Sequence, residues 1–229
     1  MIWTYVRQVL LMPFPWSVRR RALKRIFGYE LHPTSKIGFS IVAPSRTFIL
    51  EEEAGIGHLN FVRGMETIVM RKGAGISHLN WVYAVPRSSK FFASEADRRP
   101  ELIIEEGGGI TRRHLVDCSN TVHIGRYAMV AGYGTQILTH AVSMSTNEPY
   151  TRPVRIGDYS MTGTRCIFLA GSILPDRCAL GAGSTLRNAF TESNRIYSGV
   201  PAEDRGAISA EAEYFTHQVD GQPGHRLKN

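Results

Sequence analysis

The sequence predicts an all-β solenoid, short strands wound in coils around one apolar core, and three observations predict it. Ile156 to Arg187 reads in units of six, IGDYSM-TGTRCI-FLAGSI-LPDRCA-LGAGST-LR, with Ile156, Thr162, Phe168, Leu174, Leu180 and Leu186 at one position. The fourth residue after each of the first five is small: Ser160, Cys166, Ser172, Cys178 and Ser184. A period of six is neither the 3.6 of a helix nor the alternation of a half-buried strand. It suits a strand that turns a corner after each unit, with one large apolar side chain filling the interior and a small one where the backbone turns. The third observation is an echo: Ala54 to Val62 reads AGIGHLNFV and Ala74 to Val82, twenty residues on, reads AGISHLNWV. One coil of 18 residues plus a two-residue bulge stacks these two segments on one face.

From the N-terminus, Met1 to Met12 is apolar with Arg7 inside it, too short to span a bilayer and without a small-residue cleavage site. Pro13 and Pro15 end it. Trp16 to Phe27 predicts an amphipathic helix, with Trp16, Leu23, Ile26 and Phe27 set against Arg19, Arg20, Arg21, Lys24 and Arg25. Two compatible roles stay open for it. It caps the open end of the solenoid, as every solenoid requires, or it lies on an anionic membrane surface. Residues 1–30 therefore form an N-terminal helical cap, and a cytoplasmic protein, peripheral at the inner face of the membrane, is the expectation.

Residues 31–202 form the solenoid, starting loosely at Leu31. A weaker third copy of the echo runs from Gly109-Ile110 through His114-Leu115-Val116-Asp117. Two segments lack the period, near 83–100 and 141–153, and are expected as inserted loops, where long insertions usually mean function. Val122 to Ile137 returns to the period, with units starting at Ile124 and Val130. Beyond Arg187 the repeat frays, and residues 203–229 are expected to hold a short helix (Ile208 to Val219) and a polar tail (Asp220 to Asn229).

With 229 residues, 43% of them hydrophobic, one solenoid domain accounts for the chain. Lys and Arg outnumber Asp and Glu 27 to 20, a balance that suits phosphorylated ligands or an anionic surface. No nucleic-acid motif accompanies the charge, so nucleic acid is not an expected partner. Cys118, Cys166 and Cys178 form no CxxC pair. Two of them sit at the small inward position and read as buried hydrophobes rather than as disulfides or metal ligands.

The hexapeptide units, the Ile156-Gly157-Asp158 coil, Gly181-Ala182-Gly183-Ser184 and the closing Gly199-Val200-Pro201-Ala202 resemble the hexapeptide-repeat acyltransferases, in particular sugar and polysaccharide O-acetyltransferases. The resemblance implies a left-handed parallel β-helix in which residues 18 apart stack, Ile156 under Leu174 and Thr162 under Leu180. It implies a homotrimer with sites between subunits, acetyl-CoA as co-substrate and no required metal. The acceptor it implies is a sugar hydroxyl of a surface polysaccharide or its precursor, with N-acylation of an amino sugar or other small amine as the alternative. A histidine just before the loop leading into the Ile-Gly-Asp coil is that family's catalytic base, and here it is His140. The groove that takes CoA maps onto Gly163, Thr164, Ala182 and Arg187, the last a partner for phosphate. The chain departs from the family at Leu186-Arg187-Asn188, where Val-Thr-Lys is frequent, and at Met161, where Trp is frequent.

The chemistry asked of these residues is simple. A neutral imidazole, with an ordinary pKa near 6.5, can take the proton of an acceptor hydroxyl or amine at pH 7. The thioester supplies the leaving group, so no covalent enzyme intermediate is needed, and backbone amides near Gly163 are expected to face the oxyanion. A base histidine works best with its other nitrogen held, and Asp117, Glu148 and a backbone carbonyl all stay open for that role. His114 either lines the acceptor pocket with Asp117 or is structural. Tyr150, with Tyr83, Phe91 and Phe92, either stacks on a sugar or packs the loops down. Two further classes are open: a γ-type zinc carbonic anhydrase and a non-catalytic scaffold. For the first, His78 and His114 lie 36 residues apart, but Ser119 stands where a third histidine is needed and zinc wants three converging ligands.

Overall fold

A computed structural model describes residues 2–216. Two helices, α1 (Ile2–Leu11) and α2 (Trp16–Phe27), precede the strands, and a one-turn helix, α3 (Glu213–Thr216), follows them. Among the described residues, the coiled strands fall into three parallel sheets. The first runs from Glu30–Leu31 to Ile173–Leu174, the second from Lys36–Ile37 through Ala179–Leu180 to Arg195–Gly199, with Ala202–Ala207 added antiparallel at its edge, and the third from Ile41–Ala43 to Thr185–Leu186. Each coil contributes one strand to each sheet, and each strand pairs with the strand one coil earlier and one coil later. The fold is the left-handed parallel β-helix.

The expected stacking holds: Ile156 pairs with Leu174, Thr162 with Leu180 and Phe168 with Leu186. Upstream, Gly55 pairs with Gly75 and then Gly109, while Val62 pairs with Val82 and then Val116. The first coils are as regular as the last, only longer. Their spacing is visible in the first sheet, where Leu31, Leu50 and Met70 stack at intervals of 19 and 20 residues, against 18 between Ile156 and Leu174. Where an insertion intervenes, the interval grows to 34 (Met70 to Ile104) and 32 (Ile124 to Ile156). The inward column is fully buried, and each Leu, Ile or Phe in it gains about 1.5–3 kcal/mol from leaving water.

The corners explain the small fourth residue. Tyr159, Arg165, Gly171, Arg177 and Gly183, each just before a small residue, all have φ between 55° and 85°. This left-handed residue swings the chain round, and the next side chain points straight into the narrow corner. Along the corner between the second and third sheets, that inward position is occupied by Ser40, Asn60, Asn80, His114, Thr135 and Cys166. Their side chains form a ladder. Each accepts from the backbone N–H of the next rung: Ser40 from Asn60 at 2.9 Å, Asn60 from Asn80 at 2.9 Å, Asn80 from His114 at 2.9 Å and His114 from Thr135 at 3.1 Å.

The N-terminal helices close the open end by satisfying the edge backbone. Gln8 of α1 donates to Val42 O at 2.6 Å and accepts from Val42 N at 2.8 Å, completing the first strand of the third sheet. Arg19 of α2 donates to Ile37 O and Gly38 O in the second. The cap role expected for Trp16 to Phe27 is thus met, with Leu23 and Arg19 on the docked side.

Three expectations need correction. Tyr83 still belongs to a strand, so the first insertion spans 84–100, and it contains a short 3-10 helix, Lys90–Phe92. The second is a β-hairpin, with His140–Ser143 antiparallel to Glu148–Thr151. At the C-terminal end, Ala202–Ala207 is a strand that folds back on Arg195–Gly199, and of the helix expected over Ile208 to Val219 the described residues show α3, with 217–219 outside them. The expected tail from Asp220 lies outside the described residues.

Candidate active site

Asp117 ends its strand in the third sheet, and His140 stands one coil later at the corner that follows. Their sequence distance of 23 is one coil plus the turn. His140 Nδ1 donates to Asp117 Oδ2 at 2.6 Å. The Asp117 side chain is fully buried, whereas a quarter of the His140 side chain is exposed. The same carboxylate accepts from Ser119 N at 2.9 Å, Ser119 Oγ at 2.6 Å and Thr139 N at 3.0 Å. Burial alone pushes the Asp117 carboxyl up, but the hydrogen bonds from His140 and Ser119 and the nearby imidazole outweigh it and hold it below its ordinary value. For His140 the hydrogen bond to Asp117 dominates and raises its pKa, against partial burial and the charge of Arg98. With Nδ1 carrying the proton toward Asp117, the free lone pair sits on Nε2. This is the arrangement of an oriented general base.

Both insertions converge on this dyad. The rings of Phe92 and Phe91 stand edge-on to the imidazole, at centroid distances of 5.6 and 6.5 Å. Phe92 is buried and Phe91 is half exposed. Glu95 in the first insertion accepts from Thr151 N at 3.2 Å and from its hydroxyl at 3.0 Å, and Thr151 pairs directly with His140 across the hairpin. Arg98, buried and 4.8 Å over the Phe92 ring, donates to Val85 O, Pro86 O and Ser119 O. It pins the root of the insertion to the corner that holds Asp117.

The other expected residues fall elsewhere. Glu148 is not the partner of His140: it is exposed and pairs with Ser143 at the far end of the hairpin. His114 is buried in the corner ladder, its Nδ1 accepting from Thr135 N and its Nε2 2.9 Å from the Thr111 hydroxyl. Burial pushes its pKa down to about 4. It lines no acceptor pocket, and with both nitrogens engaged it offers no lone pair to a metal. Tyr150 pairs with Ala141, next to the His140–Thr151 rung, so strand alternation turns it to the opposite face of the hairpin, where Arg152 lies 5.8 Å over its ring. Among the described residues, no group of three or more His, Cys, Asp or Glu is placed to hold a metal.

Gly163 and Ala182 stack on successive coils. A Cβ at Gly163 would meet Ala182 N at 2.5 Å, so glycine is required there. The Thr164 hydroxyl donates to Tyr133 O at 2.8 Å. Gly163 N–H donates to Leu180 O at 2.7 Å, so it is not free to face an oxyanion. Arg187 is exposed and makes no hydrogen bond or ion pair among the described residues. Gly163, Thr164 and Ala182 do not share a corner with the dyad, whereas Arg187, just after Leu186 in the stack Ile137–Phe168–Leu186, lies on the dyad's side of the third sheet. Gly163 and Ala182 stand at the corner before the third sheet and His140 at the corner after it, about six residues or roughly 20 Å of extended chain apart.

The residues that the sequence did not single out are Ser119, Thr139, Glu95 and Arg98. A signal existed for the first two: stacking Leu115-Val116 on Gln136-Ile137 brings Asp117 and Ser119 beside Leu138 to His140.

No known family profile matches the chain, and no curated protein does. Solved structures do. A hexapeptide-repeat acetyltransferase from Vibrio cholerae, complexed with acetyl coenzyme A, is 15% identical over 90% of this chain and 86% of its own, with a TM-score of 0.47. An N-acyltransferase from Bacillus cereus, in complex with dTDP-4-amino-4,6-dideoxyglucose and coenzyme A, is 14% identical over 84% and 90%, with a TM-score of 0.48. A polysialic acid O-acetyltransferase is 13% identical over 82% and 94%, with a TM-score of 0.39. The structures it is similar to are acetyl- and acyltransferases.

Proposed function

We propose that this chain is an acyl-CoA-dependent acyltransferase, most simply an O-acetyltransferase acting on a sugar hydroxyl, with His140 as general base. The observation that carries the reading is the His140–Asp117 dyad at 2.6 Å, on a solenoid corner, beneath two insertions. In the reaction, Nε2 of His140 takes the proton of the acceptor hydroxyl as its oxygen attacks the thioester carbonyl. The tetrahedral intermediate collapses with loss of the CoA thiolate, which leaves with a proton, and the acyl group ends on the acceptor oxygen. Asp117 holds the tautomer and stabilises the imidazolium that forms. Half-exposed Phe91 offers an apolar wall for the face of a sugar ring beside the imidazole. An amino acceptor would use the same base, so N-acylation stays the second reading.

The donor would lie along the Gly163–Ala182 stack, where the absence of side chains opens a path for the pantetheine arm, and unpaired Arg187, across the third sheet from that stack, is the cation offered to a phosphate. Because that stack and His140 stand at different corners, one chain does not complete the site. A homotrimer, in which the donor corner of one subunit faces the dyad of the next, would complete it. Among the described residues no helix is long and apolar enough to cross a membrane. A peripheral contact with an anionic membrane through the N-terminal helices is part of this reading.

Calorimetry with acetyl-CoA tests it. Wild type should bind in the micromolar range and Arg187→Ala about tenfold more weakly, while His140→Ala should bind as wild type does yet fail to release CoA in the presence of sugar acceptors. No heat of binding at millimolar acetyl-CoA would overturn the donor assignment.

A further inference from the structure

We propose that the N-terminal helical pair is a membrane-docking surface, in which the outer face of α1 enters the interface of an anionic bilayer and the basic side chains of α2 hold the lipid headgroups. This refines the peripheral contact named above by moving the apolar insertion from α2 to α1, and it does not depend on the transfer reaction.

The first observation is the geometry of α1. It docks on the solenoid through Gln8, with Tyr5 5.7 Å from the Phe61 ring on the same side. On the opposite side Trp3, Val6 and Leu10 are exposed at 71%, 40% and 66%. Their i, i+3, i+7 spacing makes one continuous stripe. Phe14, 51% exposed, carries apolar surface into the hinge between the helices. Arg7 is the one charged side chain of α1. Single exposed hydrophobics are ordinary, but a contiguous stripe on a helix whose other face is already docked implies an apolar partner.

The second observation is charge. Six of the 27 cations and none of the 20 acids fall within residues 1–27, so the remaining 202 residues hold 21 and 20 and are close to neutral. Nearly all of the net charge of the chain is therefore concentrated on these two helices. Arg19 is spent on the cap and Arg20 donates to Pro33 O. Arg21, Lys24 and Arg25 are exposed, and their side chains make no hydrogen bond or ion pair among the described residues. Val18 and Ile26, at 44% and 50% exposure, are further exposed apolar side chains of α2.

Apolar and cationic surface side by side, with Trp at the edge, is what an anionic lipid interface accepts. A second copy of the chain is the less fitting occupant, because pairing two such faces would bring like charges together. An acidic protein would answer the cations but leaves the Trp3–Val6–Leu10 stripe without a specific account.

Co-sedimentation with phosphatidylcholine vesicles, with and without phosphatidylglycerol, tests the proposal. Full-length protein should pellet with the anionic vesicles and weakly with the neutral ones. The variants Trp3→Ser/Val6→Ser/Leu10→Ser and Arg21→Gln/Lys24→Gln/Arg25→Gln should each weaken binding at least tenfold. Neither should change the thermal midpoint or the sedimentation coefficient, since none of these side chains packs into the core. No pelleting with anionic vesicles at low salt would overturn the proposal, as would undiminished binding by the apolar triple variant. A sedimentation coefficient that drops in lipid-free solution on the apolar substitutions would also overturn it, showing that another copy covers the stripe. Vesicle binding needs no acyl transfer, so this proposal and the enzymatic one can fail separately.

Discussion

At His140 the useful question is where the proton sits at a given pH. The Asp117 carboxylate raises the pKa of the imidazole, so the protonated form persists above the ordinary 6.5. A general base works only when neutral, and the activity of wild type should therefore rise with pH through a limb above 6.5. Asp117→Asn removes the anion, and the limb should move toward acid while the plateau falls. His140→Ala should cost about 10²–10⁴ in kcat, the usual range for general acid–base catalysis. A pH profile of kcat/KM for wild type and Asp117→Asn checks this, and a limb that stays in place in Asp117→Asn would separate Asp117 from the base. The same shift acts on stability: the contribution of protonated His140 is fully present below 6.5 and is lost as pH rises through its folded pKa. Asp117 and His140 were both legible as residue types at a coil boundary. The choice of Asp117 over Glu148 was not, because it depends on which corner the carboxylate occupies. His114 illustrates the same point. Aligned on the echo, it takes the place of Asn60 and Asn80 rather than that of His58 and His78, and that inward corner position makes it structural.

The helices and coils stand or fall by how their backbone groups are paired. A solenoid end is a row of open strand edges, and here the Gln8 amide and the Arg19 guanidinium cover them together with the Tyr29 hydroxyl and the Trp16 indole. Gln8→Ala would strand the N–H of Val42, whose carbonyl keeps the Tyr29 hydroxyl, and Arg19→Ala the carbonyl of Ile37, while that of Gly38 keeps Ser40 N. Each should lower stability by about 1–3 kcal/mol, whereas Arg21→Ala, on the exposed side, should stay within about 0.5 kcal/mol. Urea unfolding midpoints distinguish the three, and equal values would mean that the helices are not needed to close the end. Within the coils, Phe168→Ala empties a fully buried site stacked on Ile137 and Leu186 and should cost about 3–5 kcal/mol. The repeat was legible where coils are 18 residues long and each corner takes a minimal turn. Upstream, one or two extra residues per coil blur the period of six although the sheets are continuous. The two insertions were legible only as gaps, because their contacts, Thr151 with His140 inside the hairpin and Glu95 with Thr151 between the insertions, are not made to a neighbouring repeat.

At the scale of the whole molecule, the width of one face of the solenoid would decide where the proposed transfer takes place. A base must come within about 3 Å of the proton it removes, but roughly 20 Å of strand separates the Gly163–Ala182 corner from His140. If both corners serve one reaction, they come from different subunits, and a ring of head-to-tail contacts supplies three such pairings. The consequence is one that no property of a single chain imitates. His140→Ala lacks the base but keeps the donor corner. Ala182→Tyr, at an exposed position, blocks the donor corner and keeps the base. Each variant alone should be inactive. Co-expressed and randomly mixed, they should regain about a quarter of wild-type activity, since a site is intact whenever a donor corner that retains Ala182 faces a dyad that retains His140. Mixed oligomers carrying two affinity tags can be isolated and assayed for CoA release. Activity restored in them places each reaction centre between subunits, whereas hybrids as inactive as their parents would confine both corners to one chain and leave the Gly163–Ala182 stack without a role in the transfer.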